Sequence, residues 1–197
     1  MAIKELFSIL AGLLLIVGYI PYINDILRGK TMPARATWLI WACLDIITLA
    51  GMYAKDSVNG QILTACVGAS IVSLLSLKYG VPGWTKIDKI SIVGAIVGVI
   101  LWGVFANPIF GIVISLAVIL LGSVPTFVSA WDNPNRENKT AWIIFFISCL
   151  CAVAAIPKWT LEDAAQPFTF LIIEIIILYI IFSRSNVRVE TSKRILA

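Results

Sequence analysis

Apolar residues occupy this chain in seven long runs that are separated by short polar segments. Most of the runs approach 20 residues, the length that an α-helix needs to cross the hydrocarbon core of a bilayer. The pattern predicts an all-α membrane protein with seven transmembrane spans, numbered 1 to 7 in chain order. The spans cover residues 3–23, 37–54, 61–79, 90–106, 108–131, 141–157 and 164–183.

The second half of the chain repeats features of the first half 104 residues later. Three pairs are identical at this offset: Gly18 and Gly122, Pro21 and Pro125, Trp38 and Trp142. Three more pairs are similar: Arg35 and Lys139, Ile40 and Ile144, Trp41 and Phe145. The offset places spans 1, 2 and 3 on spans 5, 6 and 7, and it leaves span 4 without a counterpart. The predicted divisions are two three-helix repeats, a linker helix between them and a cytoplasmic tail: residues 1–80, 81–107, 108–184 and 185–197.

The direction of the spans follows from their number and from the positive charges in the loops. Three spans reverse the sidedness of a chain and the linker span restores it, so the two repeats are expected to lie parallel. Twelve Lys and Arg residues fall on one side, whereas the other side has only Lys4, Lys55 and Lys158. Because positively charged loops stay in the cytoplasm, the N-terminus is predicted outside and the C-terminus inside. The expected location is the plasma membrane, in a bacterium the inner membrane.

Composition agrees with this class of protein. The 197 residues are 60% hydrophobic and 13% charged, and the mean hydropathy is +0.97, which lies outside the range of soluble domains. The net charge of +4 is explained by the predicted cytoplasmic rim, for which anionic lipid headgroups are a sufficient partner. We therefore expect contact with membrane lipid and no nucleic-acid partner.

The residue types that are missing argue against an enzyme. The chain has no His, which removes His-based metal sites and the usual nucleophile–His pairs. Its four Cys residues all fall inside predicted spans, and their spacing indicates neither a disulfide framework nor a metal clip. We expect no catalytic residue, no metal and no cofactor.

Two acidic residues lie deep within predicted spans, where a charge that faces lipid is costly. Asp45 is halfway along span 2 and Glu174 is halfway along span 7. The repeat pairs Asp45 with Cys149 and Glu174 with Ser70, so each half offers one carboxylate opposite a smaller polar group. These four residues are candidates for a solute site at mid-membrane, and a proton coupled through Asp45 or Glu174 is a further hypothesis. The alternative is that each carboxylate only forms an interhelical hydrogen bond.

Aromatic residues accompany Asp45 on one face of span 2. Trp38, Trp41, Asp45 and Thr48 are spaced by three and four residues, and the equivalent face of span 6 carries Trp142, Phe145 and Cys149. Aromatic walls beside a carboxylate suit a flat, sugar-like or cationic ligand. For Trp38 and Trp142, an aromatic belt at the membrane interface is the equal alternative.

Prolines stand near the cytoplasmic ends of spans 1 and 5, at equivalent positions of the two halves. Pro21 and Pro125 each follow a glycine by three residues and remove one backbone hydrogen bond from the helix. We interpret them as hinges of a gate, and the alternative is a simple bend or helix end.

Several of these features together resemble the SWEET and PQ-loop transporter superfamily, as a divergent bacterial-type member. They are the 3+1+3 order, the outside N-terminus, a proline late in spans 1 and 5, and aromatics that open spans 2 and 6. The segment Val124-Pro125-Thr126-Phe127 is close to the family's pattern for its first helix, although Pro21-Tyr22 and Pro125-Thr126 replace the family's Pro-Gln. Sugar-transporting members have Asn on helices 3 and 7, where this chain offers Ser70 and Glu174.

The resemblance implies a transporter that works by alternating access of its two helix triplets. The solute would be small and polar: a sugar, an amino-acid-like or a vitamin-like molecule. The alternative is a membrane sorting or ligand receptor of the same fold, which would need a cationic pocket for a peptide carboxylate. The sequence leaves open whether the protein forms a homo-oligomer.

Overall fold

Helices make up nearly all of the computed structural model, which describes residues 2–82, 84–105 and 107–196. The side chains of residues 98, 101, 102, 105 and 185–196 are not part of that description. The described residues contain no strand, so the all-α prediction is confirmed. The helices are α1 Ala2–Leu27, α2 Arg35–Tyr53, α3 Gly60–Tyr79, α4 Lys86–Phe105, α5 Pro108–Gly122, α6 Val124–Asp132, α7 Lys139–Ala155 and α8 Leu161–Leu196, with a 3₁₀ turn at Pro134–Arg136.

Five stretches of described helix are long and apolar enough to cross a membrane. They are α1, α2, α3, the consecutive pair α5 and α6, and α8 as far as Arg184. Helix α7 is apolar but has only 17 residues, and α4 is not among the five. The outer faces of these helices are covered with aliphatic side chains, for example Leu13, Ile20 and Leu74, which are all exposed. Such a surface fits lipid rather than water, as expected of an integral membrane protein.

Asparagine caps begin three of the helices. The side-chain oxygen of Asn59 accepts a hydrogen bond from the backbone of α3, Asn107 does the same for α5, and Asn138 for α7. Each cap satisfies a backbone N–H that has no partner within the helix. These helix starts therefore follow from local residues. Most helices match the apolar runs of the sequence, but the predicted span 5 is divided into α5 and α6, and α8 continues to Leu196, past the predicted end of span 7 at residue 183.

The helices pack in an order that encloses the middle of the bundle. Helix α1 lies against α3 and α7, and α2 lies against α3 and α5. Helix α8 contacts α5, α6 and α7, while α4 lies outside against α5 and α2. At one end, which we call the basic end, the loops 28–34, 80–85 and 133–138 meet: Met32 N donates to Arg136 O (2.9 Å) and Val81 N to Pro33 O (3.1 Å). At the opposite, N-terminal end, Lys4 Nζ donates to Pro157 O (3.0 Å).

Glycines allow the closest helix contacts. A Cβ on Gly12 would lie 2.7 Å from the carbonyl oxygen of Gly60, and a Cβ on Gly60 would overlap the carbonyl oxygen of Ser8. The backbones of α1 and α3 therefore touch at this point, as in small-residue contacts between membrane helices. The two repeated glycines have a similar role, since a Cβ on Gly18 would meet the Phe145 ring at 2.5 Å and one on Gly122 would meet Ile40 at 2.6 Å.

The two repeated prolines occupy different backbone settings. Helix α1 runs through Pro21 without interruption, whereas Pro125 is the second residue of α6, just after the break at Ser123. The Thr37 hydroxyl of α2 bridges this break, because it donates to Gly122 O (2.8 Å) and accepts from Thr126 N (3.2 Å). The predicted hinge at Pro125 thus coincides with a helix break that a side chain of the other half spans.

The contact of α1 with α3 generates a prediction on stability. We expect Gly60→Ala to lower the free energy of unfolding by about 1–3 kcal/mol, because the new methyl group meets backbone that cannot move aside. The measurement is the thermal unfolding midpoint of the protein purified in detergent. The matched control is Gly94→Ala in α4, where the added carbon meets no other described part of the protein within 4 Å apart from the neighbouring residues and backbone of its own helix. An equal midpoint for the two variants would contradict the close helix contact.

Candidate functional site

A cavity lies between the two halves of the bundle, near the middle of the helices. Side chains from α1, α2, α3, α5, α7 and α8 enclose a cavity of about 40 Å³. The lining residues are Leu15, Tyr19, Trp38, Trp41, Asp45, Ala65, Ala69, Ile119, Trp142, Phe145, Phe170, Ile173 and Glu174. This volume has room for a few water molecules and is smaller than a typical small-molecule site, so a larger ligand fits only if the surrounding helices move apart.

Six of the predicted site residues line this cavity: Trp38, Trp41, Asp45, Trp142, Phe145 and Glu174. Ser70 and Cys149 do not line it. The Ser70 hydroxyl donates to the Cys66 carbonyl of its own helix (2.7 Å), and the Cys149 thiol accepts a hydrogen bond from Gln61 Nε2 (3.2 Å). The structure therefore separates the smaller polar partners of the repeat from the carboxylates.

The two carboxylates face the cavity without protein partners. Asp45 is 3% exposed and Glu174 is 8% exposed. Asp45 Oδ1 and Glu174 Oε2 are buried and accept no hydrogen bond. No Lys or Arg is present in the cavity lining. The interhelical hydrogen bond considered as the alternative is thus absent at these two oxygens, and both are available to a ligand or a proton.

Aromatic rings form the wall of the cavity towards the basic end. The ring centroids of Trp38 and Trp41 are 5.1 Å apart, those of Trp142 and Phe145 are 5.6 Å apart, and Tyr19 lies 5.0 Å from Phe145. Trp38 and Trp142 are fully buried, so the location in a cavity describes them and the interfacial belt does not. The exposed tryptophans, such as Trp131, lie elsewhere at the helix ends.

A buried glutamate ties this aromatic cluster together at the basic end. Glu137 Oε2 accepts hydrogen bonds from the Tyr22 hydroxyl (2.9 Å) and from Trp142 Nε1 (2.8 Å). The Tyr22 ring also packs on Trp38 with centroids 5.2 Å apart. Tyr22 belongs to α1, whereas Glu137 and Trp142 belong to the second half. The hydrogen bonds of Glu137 therefore join the two halves at the basic end of the cavity. Nothing in the sequence singles out Glu137, because a loop residue gives no signal that it folds inward.

Amide side chains close the N-terminal end of the cavity. Gln166 Nε2 donates to Gln61 Oε1 (3.0 Å), and Gln61 Nε2 donates to Ser148 Oγ (3.1 Å). Asn59 Nδ2 completes the chain by donating to Gln166 Oε1 (2.8 Å), and Ser148 Oγ donates to the Ala11 carbonyl (2.8 Å). This network crosses α1, α3, α7 and α8. Polar contacts between the two halves of the bundle therefore flank the cavity at both ends.

The charge state of Glu137 differs from that of an ordinary carboxyl. Burial raises its pKa from the usual 4.5 to about 7, although the hydrogen bonds from Trp142 and Tyr22 oppose the shift. Among the described residues, no group of acidic or Cys side chains could hold a metal ion. The groups that the site offers to a ligand are the two unpartnered carboxylate oxygens and the aromatic rings.

The raised pKa of Glu137 predicts a pH-dependent stability. Between pH 4.5 and pH 7 the unfolded chain loses the Glu137 proton while the folded protein keeps it. The contribution of Glu137 to the free energy of unfolding therefore falls as the pH rises through this window, and it changes no further above it. This change in the free energy of unfolding amounts to about 3 kcal/mol over the window, and we expect it to be absent in Glu137→Gln, which keeps an acceptor for Tyr22 and Trp142. The measurement is the unfolding midpoint across pH 4 to 8, with the exposed Glu5→Gln as the control that retains the wild-type profile. Identical profiles for wild type and Glu137→Gln would refute the assignment.

Comparison with known proteins does not assign a family to this chain. No family model, no characterised protein and no solved structure matches the chain. The resemblance to SWEET and PQ-loop transporters therefore depends on the short motifs and on the order of the helices. It stays a prediction.

Proposed function

We propose that the protein is a membrane transporter that carries a small polar solute by alternating access of two helix triplets. The first triplet is α1, α2 and α3; the second is the pair α5 and α6 with α7 and α8; and α4 is the linker of the 3+1+3 plan. The observation that carries the proposal is the cavity between the triplets, which takes one unpartnered carboxylate from each and is closed at both ends by side chains from both.

The packing of the helices supports a two-fold relation between the triplets. The contact of α1 with α3 corresponds to that of α5 and α6 with α8, and the contact of α2 with α3 corresponds to that of α7 with α8. Between the triplets, α1 on α7 corresponds to α5 on α2. Equivalent side chains meet as well, since the glycine of each half faces the isoleucine of the other: Gly18 with Ile144 and Gly122 with Ile40. Two like halves around one site are typical of transporters.

The two closures supply the gates that alternating access requires. The Glu137 contact with Tyr22 and Trp142 would open towards the basic end, and the amide network of Gln61 and Gln166 would open towards the N-terminal end. A movement at the helix break near Pro125 would tilt α6 away from α2 and α8. A receptor for peptide tails is less well supported, because the cavity lining holds acidic rather than basic side chains.

The twelve positive residues on one side and three on the other support a cytoplasmic basic end, with the N-terminus outside. The plasma membrane, in a bacterium the inner membrane, is the proposed location.

Orientation can be tested by replacing each of two exposed lysines, one at a time, with a cysteine. In spheroplasts, a membrane-impermeant maleimide is expected to label Lys55→Cys at the N-terminal end but to label Lys30→Cys at the basic end only after lysis. The four native cysteines lie within helices, so wild-type protein gives the background. Labelling of Lys30→Cys before lysis, with Lys55→Cys protected, would reverse the proposed orientation.

Transport itself can be tested by entrance counterflow in proteoliposomes, with sugars, amino acids, vitamins and organic cations as labelled solutes. We expect saturable uptake of at least one class, reduced about tenfold or more by Ala69→Leu, because the larger side chain fills the cavity. The control is Gly94→Leu on the outer face of α4, which is expected to transport as wild type does. The proposal is contradicted if the wild-type protein takes up no solute of any class, or if the wild type, Ala69→Leu and Gly94→Leu take up a solute equally.

A further inference from the structure

We infer that the solute held in the cavity is a small organic cation without a carboxylate group, bound between Asp45 and Glu174 and against the surrounding aromatic rings. This substrate class rests on the proposed transport function and makes it more specific. It departs from the sugars and amino acids that the resemblance suggests. It follows from which polar atoms the cavity presents and which it lacks.

The first step concerns the unpaired charge. An ionised carboxylate in a low-dielectric interior is costly unless it meets a cation or several donors. Elsewhere this chain provides such donors: Glu137 Oε2 accepts from two side chains, although Glu137 Oε1 has no partner, and Asp25 accepts from Asn138. Each carboxylate of the cavity has a buried oxygen that accepts no hydrogen bond. A ligand that supplies positive charge would remove this cost.

The second step concerns the walls. Six aromatic side chains line the cavity: Tyr19, Trp38, Trp41, Trp142, Phe145 and Phe170. The faces of such rings carry negative partial charge and attract cations, most strongly where water is excluded. A ring cluster beside carboxylates thus provides two kinds of attraction for the same positive group. It also favours an apolar or flat group attached to that charge.

The third step concerns the donors that other solutes would need. A sugar requires side chains that both donate and accept, and the carboxylate of an amino acid requires strong donors. The cavity lining contains no Asn, Gln, Lys or Arg, and the indole N–H of Trp41 is already bonded to the Ile119 carbonyl (3.3 Å). The amides Gln61 and Gln166 are bonded to each other at the N-terminal closure. Donors for a sugar or a carboxylate are limited to Tyr19 and Trp38.

The test compares cations with neutral molecules of the same shape. Choline is paired with 3,3-dimethyl-1-butanol, and methylguanidinium with methylurea. Binding to the purified protein is measured by isothermal titration and by the shift in unfolding midpoint. We expect at least one of the cations to bind and its neutral partner to bind about tenfold or more weakly, because the loss of one charge interaction of this kind changes affinity by such a factor.

Variants locate the binding. Asp45→Asn and Glu174→Gln are each expected to weaken binding of the cation about tenfold or more, whereas the exposed Asp132→Asn, which removes the same charge, is expected to leave it unchanged. Both cavity variants should unfold at or above the wild-type midpoint, because each replaces an unpartnered carboxylate with a neutral group. The midpoint therefore separates a binding defect from a folding defect.

The possible outcomes distinguish this inference from the proposed function. Equal binding of a cation and its neutral partner, or binding unaffected by both cavity variants, would overturn the cationic substrate. So would the absence of binding by both cations. If the counterflow assay nevertheless shows uptake of a sugar or an amino acid, transport stands and only the substrate class is wrong. If no solute of any class is taken up, the transport function itself fails.

Discussion

Polar groups inside this bundle must find partners within the protein, because the surrounding aliphatic surface leaves them little access to water. At the N-terminal end Gln61 and Gln166 satisfy each other, and at the basic end Glu137 takes donors from Tyr22 and Trp142. Between these two layers lie Asp45 and Glu174, each with a buried oxygen that has no hydrogen-bond partner. Glu137 Oε1 is also buried without a partner, but Glu137 Oε2 accepts two hydrogen bonds, and neither cavity carboxylate has such a contact at its buried oxygen.

The two halves share repeated glycines but differ in the polar residues that form contacts between them. Gly18 and Gly122 permit equivalent close contacts with the opposite half. Yet Thr37, which bridges the break before Pro125, has Ala141 as its counterpart, and Tyr22 has Thr126. The first half therefore contributes the tyrosine of the basic closure, and the second half contributes the glutamate.

Much of the site was visible in the sequence because depth and helical spacing are local properties. Asp45 and Glu174 could be identified from their distance to the span ends, and Trp38 and Trp41 from their shared helix face. The repeat pairs Cys149 and Ser70 with the two carboxylates, but in the structure they form hydrogen bonds with Gln61 and with the Cys66 carbonyl. An offset between halves gives the position of a residue along a helix, but not the direction of its side chain.

The sequence by itself determined the helical class, the membrane-length apolar stretches and the caps, since each depends on residues within a few positions of one another. Only the tertiary structure decided that Glu137, 115 residues from Tyr22, folds inward to hold the aromatic cluster, and that the amides meet each other rather than the carboxylates. These pairings join separate helices, and their partners are selected by which backbones can approach closely. The cavity between them results from the packing of separate helices, so no single segment of the chain determines it.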